Sequence, residues 1–137
     1  MTKPVVAVID YGIGNSHSAQ KALEVCGADA RLTADPELIA LADGVVLPGV
    51  GAFGACMAAL RNGGLEQPAL DAVASGRPFL GICVGMQMLF TRSEENPEAS
   101  GLGIIPGTVR WIPTEPGVGP KIPQMQWNRL DFVLPGD

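Results

Sequence analysis

The sequence reads as an α/β protein with a doubly wound, mostly parallel sheet and flanking helices. Three observations predict it. Short apolar runs rich in β-branched residues, such as Val5–Ile9 and Gly44–Leu47, have the texture of strands buried on both faces. Helical stretches separate these runs, as parallel crossovers require. Glycine-rich turns follow the runs at Asp10–Asn15, Pro48–Gly51 and Gly81–Gly85, the strand ends at which ligands bind in such sheets.

Val5–Ile9 opens the sheet as a buried parallel strand, and Asp10–Ser16 is a turn. A helix is expected over Ser18–Val25, stopped at Cys26-Gly27. Ala28–Leu32 is a second strand, and Asp35-Pro36 begins a short helix in cap-then-proline order. Gly44–Leu47 is the third strand, ending at Pro48–Gly51. Helices over Ala55–Arg61 and Gln67–Ala74 flank Asn62-Gly63-Gly64, and Phe79–Ile82 is the next strand. A short amphipathic helix is expected over Met86–Phe90. The texture changes after Asn96, because six of the twelve prolines lie between Pro106 and Pro135. There, Thr108–Ile112 and Leu130–Val133 are candidate strands joined by a loop over Pro113–Pro123.

The 137 residues fit a single domain, and 47% hydrophobic with 17% charged residues predicts a packed core rather than disorder. A net charge of −5 argues against a nucleic-acid partner or an anionic membrane surface. No stretch is apolar and long enough to span a bilayer, and the N-terminus lacks a signal-peptide layout. Cys26, Cys56 and Cys83 are widely spaced, with no C-x-x-C and no metal-ligand spacing. Their odd number suits a reducing cytoplasm. Gly12-Ile13-Gly14 lacks the third glycine of a dinucleotide loop, since His17 stands there, so no cofactor is expected.

The chemistry points to Cys83. Gly81-Ile82-Cys83-Val84-Gly85 places a cysteine at the apex of a strand–turn–helix, with glycine two residues to either side. This is the nucleophile-elbow pattern with sulfur in place of a serine oxygen. Glycines are needed where a reversing strand brings backbones together. A helix start facing the sulfur offers unpaired N–H groups and a positive dipole end, a setting that favours a thiolate. An acyl-transfer nucleophile also needs an oxyanion hole and a base. Pro48-Gly49-Val50-Gly51 is either an ordinary strand-to-helix turn or one wall of that hole. The Val84 amide, just after the nucleophile, is the other wall. Gln87, one helical turn past Cys83, is a candidate for binding a substrate's polar end. His17 is the sole histidine and either an exposed residue or a base. Cys26, Cys56, Met86, Met88 and Leu89 are expected in the core.

Four stretches in order resemble the class I (triad) glutamine amidotransferases, and within them the glutaminase subunits of imidazole glycerol phosphate synthases. They are Asp10–Asn15, Pro48–Phe53, Gly81–Gln87 and Lys121–Asn128. The resemblance implies a flavodoxin-like core and hydrolysis of L-glutamine to glutamate and ammonia through a Cys83 thioester. It implies that Val50, Gly51 and Val84 form the oxyanion hole and that Gly49 and Gln87 help hold glutamine. It also implies a (β/α)8-barrel synthase partner in histidine biosynthesis, which takes the ammonia and gates the Pro48–Gly51 strand. Asn15, Trp127 and Asn128 would face that partner. Gln124 and Gln126 depart from the histidine and glycine usual in the family's later motif. The family's His-x-Glu pair belongs to a region beyond Asp137, so residues 1–137 are expected to have the nucleophile and the hole without the base, and to leave a sheet edge uncovered. Two other readings stay open: a non-catalytic module that docks on a synthase barrel, and a small cysteine hydrolase using His17.

Overall fold

The structure is a computed structural model and describes residues 2–113, 127–129 and 131. Four strands, β1 (Val5–Ile9), β2 (Asp29–Thr33), β3 (Gly44–Gly49) and β4 (Phe79–Cys83), form a parallel sheet in the order β2-β1-β3-β4. Chain direction across the sheet reverses between β1 and β3, which creates a crevice at their carboxyl ends.

The first two crossovers are single helices whose ends follow local chemistry. Helix α1 (Ser16–Val25) begins two residues earlier than expected. Its stop is a Schellman turn: Ala28 N–H bonds to the Leu23 carbonyl and Gly27 N–H to that of Glu24, with Gly27 at φ 96°. Helix α2 (Pro36–Leu41) is capped by the Asp35 carboxylate, which accepts from Glu37 N–H at 2.9 Å. Helix α3 (Phe53–Asn62) is fastened from a distance. Glu95 accepts from Phe53 N–H at 3.0 Å and Asn96 Oδ1 from Gly54 N–H at 2.8 Å. Helix α4 (Glu66–Ala74) leads to β4.

Strand alternation splits the buried residues between two faces. Ala7, Ile9, Val45 and Leu47 face the main core, filled by Ile39 of α2, Cys56, Met57 and Leu60 of α3, and Ala69 and Ala72 of α4. Val8, Val46 and Ala30 are buried on the opposite face, where α1 packs over β1 and β2. That cover stops short of β4. Leu80, in register with Val46, is 52% exposed and Ile82 38% exposed on the sheet's outer strand.

Three expectations are corrected after the elbow. Helix α5 is Val84–Gln87, four residues, rather than a run to Phe90. Phe90–Ser93 is instead strand β5, paired in parallel with β6 (Ile105–Val109). The reason is tertiary: N–H groups of Leu102, Ile105, Gly103 and Gly101 take the carbonyls of Met88, Leu89, Phe90 and Thr91, leaving the helix no continuation. The same pairing sets β6 three residues before the expected Thr108–Ile112, despite Pro106. Finally, Cys26 and Met86 are exposed rather than in the core. Cys26 is the C-cap residue of α1, and Met86 lies on the outer side of the short α5. The expected Leu130–Val133 strand, the Pro113–Pro123 loop and the Lys121–Gln126 motif lie almost wholly outside the described residues.

Candidate active site

Cys83 is the last residue of β4 and the N-cap of α5, at φ 56° and ψ −120°. It is the one non-glycine residue with positive φ among the described residues. A bulky residue held there carries strain of about 1–3 kcal/mol, the kind of strain that accompanies functional positions. The geometry is that of a nucleophile elbow: the chain reverses through the cysteine and the side chain is left exposed.

The glycines around it are required by close approach. A Cβ at Gly81 would lie 2.6 Å from Met86 Cα, and one at Gly49 would lie 2.5 Å from Gly85 N. A Cβ at Gly85 would overlap the Leu47 carbonyl oxygen. Backbone thus rests on backbone where β3 meets α5, bringing residues 49–50 beside residues 84–85. Gly49 is also in register with Cys83 across the β3–β4 ladder.

Cys83 opens into a cleft of about 310 Å³ lined by Asn15, Ser18, Ala19, Pro48, Gly49, Val50, Ile82 and Cys83. The cleft lies over the β1/β3 switch point, on the face that α1 covers only in part. Of the residues singled out from the sequence, the structure brings together Cys83, Gly49, Val50 and Asn15. Val84 is buried and Gly51 is exposed, at φ 80°, and neither is among the residues that line the cleft. Gln87 faces elsewhere, onto a smaller cleft of about 100 Å³ shared with Ser93, Glu95, Val109, Arg110 and Trp111. His17 is exposed on α1 and does not line the Cys83 cleft, although Ser18 and Ala19 do. Trp127 and Asn128 are exposed and are not among the cleft residues. With four residues, α5 contributes N–H donors at its start rather than a long aligned dipole.

Beneath the cleft lies a polar pair that the sequence did not single out. Tyr11 Oη donates to the Pro48 carbonyl at 2.6 Å, and Cys56 Sγ donates to the Val50 carbonyl at 3.2 Å. Both side chains are buried. Burial holds the Tyr11 phenol well above its usual pKa, and the hydrogen bond and charge of the adjoining Cys56 thiol push the same way. Tyr11 reaches Pro48 across 37 residues, so no local motif announces that bond. Among the described residues, no cluster of His, Cys, Asp or Glu is arranged to hold a metal, and no helix is long and apolar enough to cross a membrane.

Comparison with known proteins matches residues 6–113 to the CobB/CobQ-like glutamine amidotransferase domain. The chain belongs to this glutamine amidotransferase family. Its elbow cysteine and switch-point cleft fall inside the matched segment. Curated relatives include imidazole glycerol phosphate synthase subunit HisH from Microcystis aeruginosa, 53% identical over 131 residues, covering 96% of this chain and 60% of the relative. The same subunit from Syntrophotalea carbinolica is 52% identical over 134 residues, covering 96% of this chain and 65% of the relative. The chain thus spans about three fifths of the length of these relatives. A crystal structure of a glutamine amidotransferase superposes with a TM-score of 0.65 at 24% identity, over 77% of this chain and 55% of that one. That likeness supports the parallel sheet with flanking helices.

Proposed function

We propose that the protein is the glutaminase subunit of an imidazole glycerol phosphate synthase, hydrolysing L-glutamine to glutamate and ammonia in the cytoplasm for histidine biosynthesis. The observation that carries the reading is Cys83, held at φ 56° at the mouth of the switch-point cleft, in a chain half identical to HisH subunits.

The Cys83 sulfur attacks the side-chain amide carbon of glutamine. The carbonyl electrons move to oxygen, which the amides near Val50, Gly51 and Val84 stabilise. Collapse breaks the C–N bond, the nitrogen leaves as ammonia after taking a proton, and water then cleaves the thioester to glutamate. Gly49, beside Cys83 in the cleft, helps hold the substrate. Proton transfer needs a base, and the sole histidine, His17, does not line the cleft. The family resemblance assigns that role to a His-x-Glu pair, a pattern that does not occur in residues 1–137. Ammonia passes to a (β/α)8-barrel synthase that docks on the Asn15 and Trp127-Asn128 side.

The test is glutamate release from glutamine by the full protein bound to its synthase. The expected result is turnover that Cys83→Ala lowers by at least about a thousandfold. Full activity in that variant would refute the proposal. Binding to the synthase without any reaction at Cys83 would favour a docking module instead.

A further inference from the structure

We infer that Cys56 is a positioning residue for the oxyanion hole, its buried thiol setting the orientation of the Val50–Gly51 peptide. The inference rests on the glutaminase reading above and adds to it a residue outside the cleft.

Among the described residues, four side chains bond the loop from Pro48 to Gly54. Tyr11 holds the Pro48 carbonyl and Cys56 the Val50 carbonyl. Glu95 and Asn96 hold the amides of Phe53 and Gly54. Among the described residues, only Cys56 bonds to the Val50–Gly51 peptide, and Gly51 beside it, at φ 80°, is a flexible joint. A trans peptide points its N–H opposite to its C=O. Drawing the Val50 carbonyl toward Cys56 of α3 therefore turns the Gly51 N–H away from α3, and Gly51 itself is exposed. Cys56 is completely buried and fixed within α3, so the thiol has no solvent alternative. A thiol is a weak donor, which gives an adjustable hold rather than a rigid one. Tyr11 and Cys56 are both buried, so the two carbonyls are held from inside the protein.

Glutamate γ-semialdehyde is a suitable probe in the full chain. The Cys83 sulfur adds to its aldehyde carbon, and the carbonyl oxygen takes up the electron pair and a proton, giving a tetrahedral adduct that loads the oxyanion hole. Iodoacetamide alkylates the same sulfur by displacing iodide and loads no hole. Cys83 alkylation, read by peptide mass spectrometry so that exposed Cys26 is kept apart, reports both. In the parent protein the aldehyde protects Cys83. In Cys56→Ala, protection is expected to need about tenfold more aldehyde, with the alkylation rate in its absence unchanged. Cys56→Ser, which retains a donor, is expected to restore it. Equal protection in Cys56→Ala and the parent protein overturns this inference alone. Absence of protection in the parent overturns the glutaminase reading and this inference with it. An equal drop in Cys56→Ala and Cys56→Ser overturns it too, because repacking would then account for the effect.

Discussion

Gly85 rests its α-carbon against the carbonyl oxygen of Leu47, so that the start of α5 sits directly on the central strand β3. No side chain fits between them. The Leu47 side chain is fully buried and the oxygen belongs to a strand paired with β4, so neither partner can withdraw.

Gly85→Ala is therefore expected to destabilise the protein by more than about 3 kcal/mol, because backbone must move to admit one methyl group. Denaturant unfolding measures this. A loss under about 1 kcal/mol would show that α5 and β3 are less tightly apposed than described.

Cys83 offers a reversal of a usual ranking. Glycine is ordinarily less stable than alanine, but at φ 56° and ψ −120° any Cβ is strained. Cys83→Gly is expected to be more stable than Cys83→Ala by about 1 kcal/mol, although both lack the nucleophile. Thermal melts of the two variants decide it, and the ordinary order would remove the argument that strain marks this position.

Tyr11 predicts an alkaline limb of stability. Its folded pKa is raised above the unfolded value of about 10, so the folded state keeps a proton that the unfolded state loses. The contribution is complete below about pH 10 and declines above it by about 1.4 kcal/mol per pH unit until the folded pKa is reached. Tyr11 is the sole tyrosine, so absorbance near the phenolate band follows it directly. Native protein should show no phenolate at pH values where the unfolded chain is fully ionised. Tyr11→Phe should flatten the limb. An ordinary native titration would contradict the buried bond to Pro48.

The outer face of β4 predicts self-association. Leu80 and Ile82 stand exposed on one side of the sheet's outermost strand, beside Met86 at 45% exposure. An apolar strand edge of this kind pairs with other chains. Leu80→Lys is expected to lower the apparent mass of residues 1–137 in light scattering and to leave the melting temperature within a few degrees. An unchanged mass would mean that the face does not mediate contacts.

Much of this architecture was readable in the residue order. The strands Val5–Ile9 and Gly44–Leu47 announced themselves because a strand buried on both faces must be continuously apolar, a local property, and Phe79–Ile82 shares that texture although Leu80 and Ile82 are exposed. Gly81 and Gly85 around Cys83 marked the elbow because close backbone contact leaves no other residue type, and the Asp35-Pro36 cap was equally local. What folding alone settled was set by partners distant in sequence. Phe90–Ser93 left the helical path because residues 101–105 supply N–H groups to it. Gln87 faced a different cleft from Cys83 because α5 ended after one turn. Tyr11, Glu95 and Asn96 converge on the Pro48–Gly54 loop from separate segments, and a hydrogen bond across 37 or 42 residues leaves no periodic trace in either partner's neighbourhood.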